Sequence, residues 1–360
     1  MTRCLKNVVL ALATLVVTVP AQARAAVDPL PDLITPSAHA AVQRALALLV
    51  RSQLSDGSFP ATTAPGSDSR PDVRSTCVMT ALAGLALMAG GNTPLEGRYA
   101  PNVDRAVRFL MGSITEEGLI TAPNSGRPMY GHGFAMLFLA QAYGMLADPD
   151  EQADLRKVLE NAVQLTVRAQ ANSGSWSYSP NYKFEPGEGS VTVTQIQGLR
   201  ACRNAGIKVP KSTIDGACEF IKKCQEPDGG IAYQIGRPGA RPPITAAAVA
   251  TMYNAGEYEH PVALGALEYT VRRLRRSGPK GAQGVYGGHQ AYGLFYAAQG
   301  IWFGGEELWR ELFPPIRTFF VSRQDDTGSI EVGGQGNIFS TAIAAIVLQI
   351  PNQYLPILQR

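Results

Sequence analysis

Two histidines stand where an imidazole could move protons. In Gly131-His132-Gly133 and Gly287-Gly288-His289 each ring is flanked by glycines that leave it room. Imidazole titrates near neutral pH, so such a pair suits general acid and base work on one substrate. Asp72 adds a carboxylate, and Arg74, Tyr130 and Tyr286 add groups that could bind or orient. The plainer reading of each histidine is a satisfied residue at a helix start. Asp325-Asp326-Thr327 also sets two carboxylates side by side, but it falls inside a glycine turn, where Asp is favoured for bonding nearby backbone. Neither a C-x-x-C pair nor clustered histidine occurs, so no metal and no cofactor is expected.

A repeat must position these groups. Gln53, Gln170, Gln225 and Gln324 are each followed four residues later by Gly57, Gly174, Gly229 and Gly328. Two residues further on stands an apolar side chain: Phe59, Trp176, Ile231 or Ile330. Degenerate copies at Gly118 and Gly284 fill the gaps, and the six glycines lie 61, 56, 55, 55 and 44 residues apart. An amphipathic helical pattern precedes each turn, as in Ile214, Ala217, Cys218 and Ile221. A second helix, apolar on most faces, follows: residues 76–89, 132–146, 191–204, 245–254, 289–301 and 341–350. Helices apolar all round are buried. The repeat therefore predicts an all-α fold, a closed (α/α)6 barrel with an inner and an outer ring, forming one domain over residues 27–360. The glycine ends the outer helix in a left-handed conformation, and the Gln serves orphaned backbone groups at that end.

Gln170-Ala-Asn-Ser-Gly174-Ser-Trp176 and Gln225-Glu-Pro-Asp-Gly229-Gly-Ile231 resemble the prenyltransferase and squalene oxidase repeat of the terpenoid cyclase/prenyltransferase α-α toroid superfamily. The resemblance runs from about Pro36 to the C-terminus. Tyr130-Gly-His-Gly133 and the segment from Leu348 to Ile357 look like those of exported bacterial squalene-cyclase-like proteins. The signatures of the active enzymes are missing: no Asp-x-Asp-Asp for protonation and no Asp-x-Cys for zinc. The resemblance implies that inner-helix N-termini face the cavity mouth. That places Asp72, Arg74, Tyr130, His132, Glu188, Thr192, Arg241, Thr245, Tyr286, His289 and Thr341 around the opening. His132 and His289 then lie on opposite helices, with about 5 Å between ring nitrogens if axes are 8–10 Å apart. Phe134, Phe138, Tyr292 and Phe295 would line an apolar pocket, or simply pack the core.

Composition narrows the classes. The 360 residues carry 45% hydrophobic side chains, enough for a large core. Arg3, Lys6 and Arg24 fall in the first 26 residues, and the 29 bases that remain balance 29 acids. A neutral chain is a poor nucleic-acid ligand. Met1–Lys6 with two bases, an apolar run to Val19, Pro20 and Ala23-Arg24-Ala25 read as a cleaved signal peptide over residues 1–26. An exported protein with no transmembrane span after cleavage is expected. Cys77, Cys202, Cys218 and Cys224 read as buried small apolar residues.

Three functions fit. One is the binding or processing of an apolar isoprenoid or lipid inside the barrel. A second is a non-catalytic exported scaffold or binding module, and the third a carbohydrate-active α/α-barrel enzyme using acids such as Asp72 and Glu188. The lining separates them: an apolar cavity, a filled barrel, or an acidic cleft.

Overall fold

The computed structural model describes residues 33–60, 76–123, 125–180, 187–277 and 284–359. The leader lies outside them, as do Asp72 and Arg74. Six inner helices neighbour one another in a closed ring: α2 (Thr76–Ala89), α4 (Pro128–Ala142), α6 (Gly189–Asn204), α8 (Pro242–Ala255), α10 (Gln290–Phe303) and α12 (Asn337–Gln349), which returns to α2. Outside them pack α1 (Pro36–Ser52), α3 (Ala100–Met111), α5 (Pro149–Arg168), α7 (Lys211–Lys223), α9 (Pro261–Arg276) and α11 (Glu306–Val321).

The two rings differ as their sequences require. Helix α5 buries one stripe, Leu155, Leu159, Ala162, Val163, Leu165 and Thr166, and leaves its opposite face to solvent. Helix α2 is buried from Cys77 through Ala89 on every face. The second and fourth inner helices start at Pro128 and Pro242, a few residues before the apolar run suggests. Proline is at home in a first turn, where its missing N–H leaves no bond unmade. One short antiparallel hairpin, β1 (Ala232–Gln234) with β2 (Arg237–Ala240), follows the fourth glycine turn. No described helix is long and apolar enough to cross a membrane.

The repeat motif joins neighbours. Gln170 Nε2 donates to Gly174 O of its own turn at 2.9 Å and to Thr213 O of the next outer helix, α7, at 2.8 Å. Gln53 and Gln225 do the same toward α3 and α9. Gln324 reaches Ala41 O of α1 at 2.8 Å, so the sixth turn closes the ring on the first helix. Gly174 lies in left-handed backbone (φ 90°) directly against the Gly216 carbonyl of α7, where a Cβ would collide. The motif therefore requires glycine for its conformation and for its close approach.

The other end of the barrel is sealed by the C-terminal segment. Trp302 Nε1 donates to Leu358 O at 2.8 Å and Ile357 N to Gln141 Oε1 at 3.2 Å. Leu355, Ile357 and Leu358 are buried there. The four cysteines among the described residues are free thiols, and burial pushes Cys77 and Cys202 up to about 12, leaving them inert.

Candidate functional site

Each inner helix supplies, near its start, a side chain that accepts the backbone N–H two residues past the motif glycine. Thr80 takes Phe59 N, Thr192 takes Trp176 N, Thr245 takes Ile231 N and Thr341 takes Ile330 N, at 2.9–3.3 Å. In the second hairpin His132 fills this threonine position, and in the fifth Gln290 does. His132 Nδ1 accepts Ile120 N at 3.0 Å, while Nε2 lies 3.0 Å from Thr166 Oγ1 and 3.3 Å from Ala162 O. Because Nδ1 accepts an amide proton, the ring is the neutral Nε2–H tautomer. Burial pulls its pKa down to about 4. The imidazole points toward α5, away from the axis.

His289 stands elsewhere. It ends a three-residue 3-10 turn, Gly287–His289, is exposed, and touches Gln335 Nε2 at 3.1 Å. The two histidines do not face each other across the barrel, because one is committed to the inter-ring layer and the other lies on the surface. Tyr286 is likewise part of the repeat: it occupies the apolar position two residues after Gly284, and its ring covers Gly293. Phe134, Phe138, Tyr292 and Phe295 are at most 6% exposed. The Phe138 ring fills the space a Cβ on Gly84 would need, and Gln197 Nε2 bonds Gln299 Oε1 from α6 to α10 at 2.7 Å. The expected lining residues are packed core.

Polar chemistry gathers instead at the starts of α4, α6 and α8. Glu188, 3% exposed, caps α6: its carboxylate accepts Ser190 N at 2.8 Å, Val191 N at 2.9 Å and Ser190 Oγ at 2.7 Å. Tyr233, on β1, donates its hydroxyl to the same carboxylate. Tyr178 bonds Tyr233, hydroxyl to hydroxyl, at 2.9 Å. Arg127, preceding α4, lies 4.8 Å from the Tyr178 ring centre, and Arg241, preceding α8, lies 5.7 Å from that of Tyr233. No described cation forms an ion pair with Glu188, and burial raises its pKa in spite of the four donors. Tyr130 and Tyr292 adjoin the cluster. Burial first, then neighbouring phenols and Glu188, holds the Tyr292 hydroxyl protonated far above its usual range. That hydroxyl has no hydrogen-bond partner, nor has Tyr296's, nor Gln195 Oε1.

Sequence reasoning reached Glu188, Tyr130 and Arg241 but not Tyr178, Tyr233 or Arg127. A signal was present. Tyr178 and Tyr233 each follow their motif glycine by four residues, and Arg127-Pro128 and Arg241-Pro242 open the second and fourth inner helices alike.

No protein-family model matches the chain, and no curated protein matches it. Solved structures do. A type II terpene cyclase, MstE from Scytonema, superposes with a TM-score of 0.58 at 15% identity, over 89% of this chain and 98% of that one. The fold is an α/α toroid. The α-1,6-mannanase GH76A from Salegentibacter shares the toroid as well, with a TM-score of 0.60 at 9% identity, over 89% of this chain and all of that one. A glycosidase solved with glucose matches at 0.56 and 12% identity, over 91% and 99%. Terpene cyclases and glycosidases thus use the same toroid, and fold alone does not choose between them.

Proposed function

We propose that the chain is an exported binding toroid that takes its ligand at the mouth, on the α4–α6–α8 sector, with residues 1–26 removed as a signal peptide. The filled interior supports this reading most directly. Pockets that enclose small molecules occupy roughly 300–1,000 Å³, whereas here Phe138 lies on Gly84 and Gln197 meets Gln299 inside the ring. The Gln–carbonyl bonds of four of the six turns support the ring as a frame for side chains at its rim.

A second reading keeps an apolar isoprenoid in the barrel. The aromatic wall of Phe134, Phe138, Tyr292 and Phe295 favours it, as does the likeness to a terpene cyclase solved with geranylgeranyl dihydroxybenzoate. It requires those rings to move aside. Carbohydrate hydrolysis needs two carboxylates; Glu188 is one, and Asp72 lies outside the described residues.

Native mass spectrometry of the exported protein, with lipid extraction, separates the first two. The binding-toroid reading expects a chain shortened by the leader and free of stoichiometric lipid. One polyprenoid per chain would overturn it in favour of the isoprenoid, and a full-length intracellular product would remove the exported part.

A further inference from the structure

We infer that the mouth between α4, α6 and α8 binds a neutral, hydroxyl-rich ligand, a saccharide unit, held between Arg127 and Arg241 over the Tyr178–Tyr233 pair. This rests on the reading above that the ligand is taken at the rim, and it adds the chemical class.

The charge pattern selects the class. Arg127 and Arg241 are exposed, and no described acid forms an ion pair with either. Both precede inner helices, at the end where a helix dipole disfavours positive charge. Their placement is therefore not explained by helix stability. In the same sector the Glu188 carboxylate caps α6, buried and without an ion-pair partner among the described residues. An anion settling between the guanidiniums would be set against that carboxylate. A cation drawn by the carboxylate and the phenol rings would be set between two guanidiniums. A neutral ligand avoids both.

The hydrogen-bonding groups select hydroxyls. Guanidinium N–H groups and the phenols of Tyr130 and Tyr292 donate, while the Tyr178 proton is committed to Tyr233. Ser190 Oγ, the phenol oxygens and, beneath them, Gln195 Oε1 accept. The Tyr292 hydroxyl and Gln195 Oε1 are buried and unpartnered, one donor and one acceptor, and neither has found a bond within the protein. Adjacent donors and acceptors are what a hydroxyl requires, since it does both. Half-buried Tyr130, Tyr178 and Tyr233 add amphipathic rings for the C–H face of a sugar.

The test is calorimetric titration of the exported protein with α-1,6-mannobiose, maltose and cellobiose, and separately with inorganic phosphate and with choline. Saturable binding of at least one disaccharide is expected. Arg127→Ala and Arg241→Ala should each weaken it about tenfold, the loss of one charge-assisted hydrogen bond. Their melting temperatures should stay put, because both side chains are exposed. Tyr233→Phe should weaken binding while keeping the ring. No disaccharide binding, binding of phosphate or choline alone, or disaccharide binding indifferent to both arginine variants would each overturn the inference. None of those results touches the lipid-extraction outcome, so the rim-binding reading stands or falls separately.

Discussion

The third and fifth hairpins share the motif glycine and use it differently. In the third, Gln170 ties its turn to α7, Gly174 rests on the Gly216 backbone, and Trp176 is fully buried with Nε1 donating to Thr166 O at 2.8 Å. In the fifth, Gly284 keeps the left-handed conformation (φ 86°), but a Cβ there would meet nothing within 4 Å among the described residues. Tyr286 and Gln290 stand in for the apolar residue and the threonine, and they bury a hydroxyl and an amide nitrogen without partners. The difference teaches that stability in this toroid is held at turn-to-helix stitches. A departure from the motif marks a loosened stitch before it marks a site: His289 sits on the loosened hairpin, whereas the polar cluster centres on the tight one, with Arg127 and Arg241 from the hairpins on either side.

The sharpest way to break the comparison is the same substitution in both turns. Gly174→Ala adds a methyl that collides with the Gly216 carbonyl, on top of the ~1–2 kcal/mol that left-handed backbone costs a non-glycine residue. A loss of about 4 kcal/mol or more by urea denaturation is expected. Gly284→Ala incurs the backbone cost alone. Equal losses at the two positions would mean that the fifth turn is packed as tightly as the third.

His132 extends the contrast to pH. Its pKa lies near 4 in the folded chain, against 6.5 for an ordinary imidazole, so the unfolded chain binds the proton more readily. Its contribution is complete above pH 6.5 and is lost as pH falls toward 4, by roughly 3 kcal/mol over that window. His132→Thr restores the side chain used by four other hairpins and should flatten this acid limb of the stability profile. An unchanged profile would place the acid sensitivity elsewhere. Gln324→Ala opens the ring closure by removing bonds to Ala41 O and Gly328 O, and should cost about 2 kcal/mol. A cost near zero would mean that inner-helix packing alone holds the sixth hairpin to the first.

The order and number of helices were legible because a left-handed glycine turn follows each outer helix, and glycine spacing is written along the chain. The glycine was expected to end the helix itself, but it lies five to eight residues beyond the last helical residue, in the turn that leads to the inner helix. Helix α2 begins and ends where its apolar run does. Phe138 was legible as an inner-ring residue, but whether it lined a cavity or filled one depended on Gly84 of a different hairpin. The role of His132 escaped for a related reason: Ile120, Ala162 and Thr166 belong to other elements, and no spacing along the chain brings them together. The clue lay across repeats instead, since Thr192, Thr245 and Thr341 open their inner helices as His132 does. The Glu188 cluster required the rotation of neighbouring hairpins to be known, because Tyr178 and Tyr233 are 55 residues apart yet share a hydrogen bond.

The smallest expected effect is at His289, and it bears on which hairpin carries function. Its ring is exposed, and the contact from its Nδ1 to Nε2 of half-buried Gln335, at 3.1 Å, is made at the surface. Substitutions at such positions usually shift stability by no more than ~0.5 kcal/mol. His289→Ala should therefore leave the urea midpoint unchanged. It should also leave disaccharide binding unchanged, since the rim that Arg127, Glu188 and Arg241 define belongs to the second, third and fourth hairpins. Loss of binding with an intact midpoint would move the functional surface onto the fifth hairpin. The loosened stitch there would then have to be read as room made for a ligand, and Tyr286 and Gln290 as groups waiting for one.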